Sequence, residues 1–389
     1  MVSPSATPPA SRGLAGIIAG RTAICSLDGT LRYRGYTIAD LVTGSFEETA
    51  YLLLHGSLPA AAELAAFAGR IREAARSLPP LVTEILARLA EAAPQASTMD
   101  ALRTAVSVLG QLAGDNGPQL PVDQTSLKTE TARGERLIGQ VAAALAVWVD
   151  LTSGRSPAAW PDEPLAAALL GRLRGGPVTA VEASVFDTTL ILYAEHEFNA
   201  STFAARTVTS TGADMHSAVT AAIGALKGPL HGGANEQVLE QLGDIGSLDR
   251  VEPWLAEQLA ARRVVMGFGH RVYKQGDVRA VLLADACRRL IRAEGVAESH
   301  QQLEQLADRL EGLMLEQKGL KPNLDWPAAR VYHAVGLPIS VFTPIFVVAR
   351  MSGWTAHIVE QMADNRLIRP LADYCGSPPQ HYRPLAERG

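Results

Sequence analysis

The 389-residue chain is expected to fold as an all-α protein of many helices with one small β-hairpin near its N-terminus. Three observations lead to this. Apolar residues recur at three- and four-residue spacing in run after run, the period of an amphipathic helix. Alternating β-formers are confined to Thr22–Tyr36, around an Asp28-Gly29 turn. The remainder is rich in Ala and Leu and is punctuated by Gly, Pro and Asn at the ends of the periodic runs.

In order along the chain, Met1–Arg12 has no apolar h-region and reads as a flexible tail, not a signal peptide. After the hairpin, Ser45-Phe46-Glu47-Glu48 has the form of a capping box, and its helix should end at Gly56. Ala60–Ser77 is periodic and stops at Pro79-Pro80. Helical runs follow at Leu81–Ala92 and Met99–Leu112, and Gly114–Leu127 reads as a polar loop. Further runs cover Arg133–Thr152, Glu163–Leu173, Val178–His196, Asn199–Thr209, Asp214–Lys227, Asn235–Leu242 and Val251–Ala261. The last are Val278–Ala293, His300–Gln317, Pro327–Val335 and Ile339–Ala363, before a Pro-rich tail from Gly376. The length is ample for two domains and a large core.

Composition narrows the function. Hydrophobic residues make up 47% and charged residues 19%, as in a soluble enzyme. A net charge of −5 without a basic stripe argues against nucleic-acid binding. Cys25, Cys287 and Cys375 form no CxxC or paired framework, which fits a reducing cytoplasm and offers no zinc site. No stretch reaches about 18 uninterrupted apolar residues, so no membrane span is expected. Phosphate-loop, dinucleotide, nucleophile-elbow and HExxH signatures are absent.

Polar residues concentrate where the helical pattern breaks. In Gly228-Pro229-Leu230-His231-Gly232-Gly233, Pro229 stops one helix and the glycines permit a sharp turn. His231 then sits near a helix N-terminus, where backbone N–H groups disfavour imidazolium and leave a neutral donor for an oxygen that becomes anionic. The other breaks are Tyr193–Thr202, with His196; Met266-Gly267-Phe268-Gly269-His270-Arg271-Val272-Tyr273-Lys274, continuing to Asp277 and Arg279; and Lys321–Pro327, with Asp325. Each has a plainer reading: a turn around His231, a C-cap at His196, a loop around His270, or a cap at Asp325 before Pro327. A metal site from Glu195, His196, Glu197, His231 and His270 fits poorly, because no i, i+4 ligand pair occurs. Two histidines, one carboxylate and nearby arginines suit a carbonyl compound carrying anionic groups.

Together, GPLHGGANE, MGFGHRVYK, PNLDW, AEHEFNASTFAAR and FTPIFVVARMSGWTAHIVEQMADNRLIRP resemble the blocks of the citrate synthase family in its shorter bacterial form, in the same order. The early GLAGIIAGRTAICSLDGTLRYRGY and FEETAYLLLHGSLP match as well, so the resemblance runs from about Gly13 to near Leu385. It implies a two-domain helical fold: a large domain over 1–232 and 336–389, and a small domain over 233–335. It also implies a catalytic trio. His231 would hydrogen-bond the acetyl-CoA thioester oxygen, Asp325 would take a methyl proton, and His270 would polarise the ketone of oxaloacetate. His196, Arg279, Arg350 and Arg369 would hold oxaloacetate, Arg369 reaching in from the partner of a homodimer. Met266, Gly267, Phe268, Gly269, Arg271 and Lys274 would bind CoA.

The implied activity is citrate formation in the tricarboxylic acid cycle by a cytoplasmic acyltransferase with no metal and no resident cofactor. The alternatives are 2-methylcitrate synthase, which uses propionyl-CoA, and a catalytically silent CoA-binding paralogue. The chain departs from the family's pattern with Val278 in place of a proline, and with Trp326-Pro327-Ala328-Ala329 where an aromatic pair and Ser-Gly are common. Those departures bear on the presentation of Arg279 and on the acyl pocket.

Overall fold

A computed structural model describes residues 16–114, 117, 122–270, 272–273, 276–292 and 298–388, without the side chains of 298 and 299. Three two-residue strands come first: β1 (Cys25–Ser26), β2 (Arg32–Tyr33) and β3 (Tyr36–Thr37), antiparallel in that order. The expected turn at Asp28-Gly29 joins β1 to β2. A second turn, unexpected from the sequence, joins β2 to β3 through Arg34 and Gly35, both at positive φ (47° and 90°). This is the backbone a two-residue hairpin turn demands.

Sixteen α-helices follow among the described residues. They are α1 (Ile38–Leu41), α2 (Phe46–His55), α3 (Ala61–Arg76), α4 (Pro80–Ala92), α5 (Thr98–Ala113), α6 (Gln124–Thr152), α7 (Leu165–Arg174) and α8 (Ala180–Tyr193). Then come α9 (Ala200–Ser210), α10 (Met215–Leu226), α11 (Ala234–Ile245), α12 (Val251–Ala260), α13 (Val278–Ile291), α14 (Glu298–Lys318), α15 (Asp325–Ala334) and α16 (Phe342–Ala363). The boundaries have local causes. Ser45, Ser97, Thr179, Asn199 and Asp214 each accept a backbone N–H of the first turn, and Gly56 ends α2 in the left-handed conformation. One boundary corrects the sequence reading: α6 starts at Gln124, not Arg133, because Asp123 caps it by accepting the Ser126 N–H.

The core is built around α16. Ile339–Ala363 has the length and hydropathy of a bilayer-crossing helix, yet its most apolar 18-residue window is 89% buried inside the fold. Helices α2, α6, α8, α9 and α10 surround it, which is why nearly all of its residues are buried, the polar Arg350 and His357 included. Helix α11 packs on α15, α13 on α15 and α12 on α14, and this group meets the rest of the chain through α8 and α16. The segments between these helices face one cleft.

Candidate active site

Helix α10 ends at Leu226, and the chain doubles back, with His231 N bonded to Gly228 O at 2.9 Å and Gly232 N to Leu226 O at 3.1 Å. The helix terminus that meets His231 is not that of the following α11. It is the start of α9, thirty residues earlier: the Ser201 N–H donates to His231 Nε2 at 3.2 Å. A backbone N–H can only donate, so Nε2 accepts and the ring proton belongs on Nδ1. Burial, and after it the Arg350 charge, lowers the His231 pKa to about 4. Ser201 Oγ also lies 2.9 Å from Nε2, accepts the Trp354 Nε1–H at 3.1 Å and reaches Asn199 Oδ1 at 2.7 Å.

His270 is held the opposite way round. Its Nδ1 accepts the N–H groups of Val272 and Tyr273 at 3.1 and 3.2 Å, so its proton belongs on Nε2. The His196 ring lies 5.3 Å away, centroid to centroid, and His196 Nε2 is 3.0 Å from Tyr273 Oη. Burial, reinforced by Arg279 and Arg350, keeps His196 neutral well below its ordinary pKa. Residues 267–269 are zipped to 321–323: Gly269 N to Lys321 O, Asn323 N to Gly267 O and Asn323 Nδ2 to Gly269 O, each at 2.9 Å. Gly267 has φ +86°, and a Cβ there would stand 2.8 Å from both Trp326 and Val238.

Of the six residues expected at CoA, Gly269 lines the cleft. Met266, Gly267 and Phe268 do not; the Phe268 ring packs tilted against Trp326, centroids 4.5 Å apart. Arg271 and Lys274 lie outside the described residues.

Asp325 is the first residue of α15, but its side chain does not cap that helix. Its Oδ1 instead accepts the Tyr193 hydroxyl at 2.6 Å. Burial raises the Asp325 pKa to about 6 against the opposing pull of that hydrogen bond and of Arg279. Arg279, in the first turn of α13, is gripped by Asp277 through Nε–Oδ1 at 3.0 Å and Nη2–Oδ2 at 2.8 Å. Burial opposes its charge, and Asp277 more than offsets this, raising the guanidinium pKa. Asp277 also accepts the Arg279 and Leu324 N–H groups, so Val278 presents Arg279 firmly without a proline. Trp326, Pro327, Ala328 and Ala329 are buried behind the cleft, where Trp326 Nε1 donates to Glu311 at 3.2 Å.

Arg350 is fully buried on α16. Its Nε donates to Tyr193 O at 2.7 Å, while its buried Nη1 has no hydrogen-bond partner in the protein. Such an atom is costly unless a ligand or water completes it. His196, His231, His270, Arg279, Asp325 and Arg350 all line a single cleft of about 1260 Å³, joined by Tyr193, Phe346 and Asn323. Arg369 is exposed in the C-terminal segment and does not line its own chain's cleft. Glu195 turns away from the cleft to His357, and no group of three or more metal-ligating side chains occurs among the described residues.

The cleft thus offers two imidazole N–H donors, one buried carboxylate with a raised pKa and two arginines. This set can deprotonate a weak C–H acid beside a carbonyl while holding an anionic electrophile. Sequence reasoning passed over Tyr193, Ser201, Tyr273 and Phe346. Tyr193, Ser201 and Tyr273 fell inside singled-out segments, but nothing in their spacing names their partners.

Residues 13–371 match the family model described as "Citrate synthase, C-terminal domain". Citrate synthase 2 of Bacillus subtilis is 40% identical, covering 97% of this chain and 99% of that protein. 2-methylcitrate synthase 2 of Corynebacterium glutamicum is also 40% identical, covering 100% of each. Among solved structures, the ternary complex of Thermoplasma acidophilum citrate synthase with carboxymethyl coenzyme A and oxaloacetate aligns with a TM-score of 0.89. Identity to it is 30%, over 98% of this chain and 100% of that one. Thermotoga maritima citrate synthase aligns with a TM-score of 0.83 at 32% identity, over 97% and 99%.

Proposed function

The chain belongs to the citrate synthase family, and from that premise we propose that it condenses acetyl-CoA with oxaloacetate and hydrolyses the resulting thioester to citrate and CoA. The observation that carries this reading is the meeting of His231, His270 and Asp325 around one cleft that His196, Arg279 and Arg350 also line. His231 Nδ1–H donates to the thioester oxygen. Asp325 removes a methyl proton, its Oδ1 occupied by Tyr193 and its Oδ2 taking the proton. The enolate carbon bonds to the ketone carbon of oxaloacetate as His270 Nε2–H protonates the ketone oxygen. Water then attacks the thioester carbonyl, and the CoA thiol leaves.

A free carboxylate cannot deprotonate a thioester methyl unaided. A preorganised donor such as His231 contributes about 3 kcal/mol toward the enolate, and a positioned base contributes roughly 10²–10⁴-fold. Arg350 Nη1, unpartnered in the protein, takes a carboxylate of the keto acid, with Arg279 and His196 beside it. We assign Gly233–Val335 as a small domain that closes over the site, the segment 266–274 as the CoA loop, and Arg369 as a contribution to a partner subunit's cleft in a homodimer.

A second reading, 2-methylcitrate formation from propionyl-CoA, is favoured by the apolar wall of Tyr193, Leu324 and Phe346 lining the cleft with Asp325. One methylene shifts the preference by only about 1–3 kcal/mol. Measuring kcat/KM for CoA release with each acyl donor tests both. A preference for acetyl-CoA supports the first reading and a preference for propionyl-CoA the second. Release from neither leaves a silent binding protein.

A further inference from the structure

Arg350, Gly353, Trp354 and His357 recur at i, i+3, i+4 and i+7 and so share one stripe of α16. The stripe touches the cleft wall at four places. Arg350 holds the Tyr193 carbonyl. Gly353 lies against the turn after α8, where an added Cβ would stand 2.4 Å from Ala194 O and 2.3 Å from Glu195 Oε2. Trp354 Nε1 donates to Ser201 Oγ, the hydroxyl beside His231 Nε2. His357 Nε2 donates to Glu195 Oε1 at 2.9 Å.

The His357 tautomer is fixed from behind. Arg206 Nη1 donates to His357 Nδ1 at 2.9 Å, so the ring proton points at Glu195. Glu195 is clasped on its backbone as well: Tyr33 Oη donates to its carbonyl at 2.9 Å and accepts its N–H at 3.3 Å. His196 follows directly and faces the cleft, and Glu197 beyond it holds a left-handed φ of 52°. One face of one helix therefore reaches both ends of the cleft, through Ser201 to His231 and through Glu195 to the His196 turn.

We propose that Trp354 and His357 are positioning residues with separate tasks, Trp354 orienting His231 through Ser201 and His357 orienting the His196 turn through Glu195. The assignment rests on the condensing-enzyme reading. His231 serves the acyl-CoA half of the reaction, and His196 with Arg350 serves the keto-acid half. Loss of the Trp354 N–H should therefore appear in kcat, and loss of the His357 bond in the KM for oxaloacetate.

The test is steady-state kinetics of Trp354→Phe and His357→Gln, with Phe chosen to keep the core filled. Trp354→Phe should lower kcat about tenfold and leave the oxaloacetate KM within about twofold, whereas His357→Gln should raise that KM about tenfold and lower kcat less than about threefold. Ser201→Ala and Glu195→Gln attack the same bonds from the other side and stand in if a core variant fails to fold. Each should reproduce its partner's signature, and the double variants Trp354→Phe/Ser201→Ala and His357→Gln/Glu195→Gln should be no worse than their singles. Variants that shift kcat and KM alike, or double variants whose effects simply add, overturn the division of tasks while the wild-type activity stands. A wild type that releases no CoA from either acyl donor overturns the condensing reading and the assignment with it.

Discussion

His231 and His270 carry the same side chain toward the same cleft, yet they are braced differently. His270 is held by its own loop, with Val272 and Tyr273 N–H groups two and three residues away. His231 is held by Ser201, which belongs to another helix and is itself fastened to α16 through Trp354. The two bonds also engage opposite nitrogens, so one ring presents Nδ1–H and the other Nε2–H. A local brace travels with its loop when that loop moves. A distant brace depends on the packing of the wall, and it ties the acidity of a substrate C–H bond to the integrity of the core.

The sharpest way to break this contrast is to remove the distantly braced donor. His231→Asn should lower kcat by roughly 10²–10³-fold, measured as thiol release. A loss below tenfold would mean that Nδ1–H does not meet the developing charge. Next in size is Gly353→Ala, which forces a Cβ onto Ala194 O and Glu195 Oε2. It should cost about 1–3 kcal/mol of stability in a denaturant melt. Hydrogen exchange should quicken at Ser201 and stay unchanged at Val272 and Tyr273; equal quickening at both corners would erase the distinction. The smallest effect concerns pH. His231 titrates at about 4 and Asp325 at about 6, so the acid limb of the rate profile should belong to Asp325. The base works when deprotonated, so the rate should fall about tenfold per pH unit below that midpoint. The Tyr193 hydrogen bond holds the Asp325 pKa down, so Tyr193→Phe should move the limb to higher pH. A limb that stays put assigns the titration elsewhere.

Much of this architecture was legible in the chain. Caps such as Ser45 and Asn199, and breaks such as Gly56, announce helix ends through local hydrogen bonding, which sequence records directly. The start of α6 was missed because Gln124–Ala132 is polar and lacks apolar periodicity, so only the Asp123 cap marks it. Site residues at helix junctions stood out because they interrupt a pattern. Their partners did not. Asp325 before Trp-Pro reads as a cap, and only the fold brings Tyr193 from 132 residues away to claim its oxygen. His231 does stand just before a helix N-terminus, that of α11, but the N–H that reaches its ring comes from Ser201 at the start of α9. Partners of Met266 and Phe268 were equally illegible: Met266 pairs through its backbone with Gln241, and Phe268 packs on Trp326.

The central claim is that a buried carboxylate on α15, its pKa raised to about 6, removes a proton from an acyl-CoA while His231 steadies the oxygen. Exchange of acetyl-CoA methyl protons with deuterated water, in the presence of an unreactive keto-acid analogue, measures that step apart from condensation. The wild-type protein should catalyse the exchange, and Asp325→Asn should lose it by at least about 10²-fold. Exchange at the wild-type rate in Asp325→Asn would contradict the account.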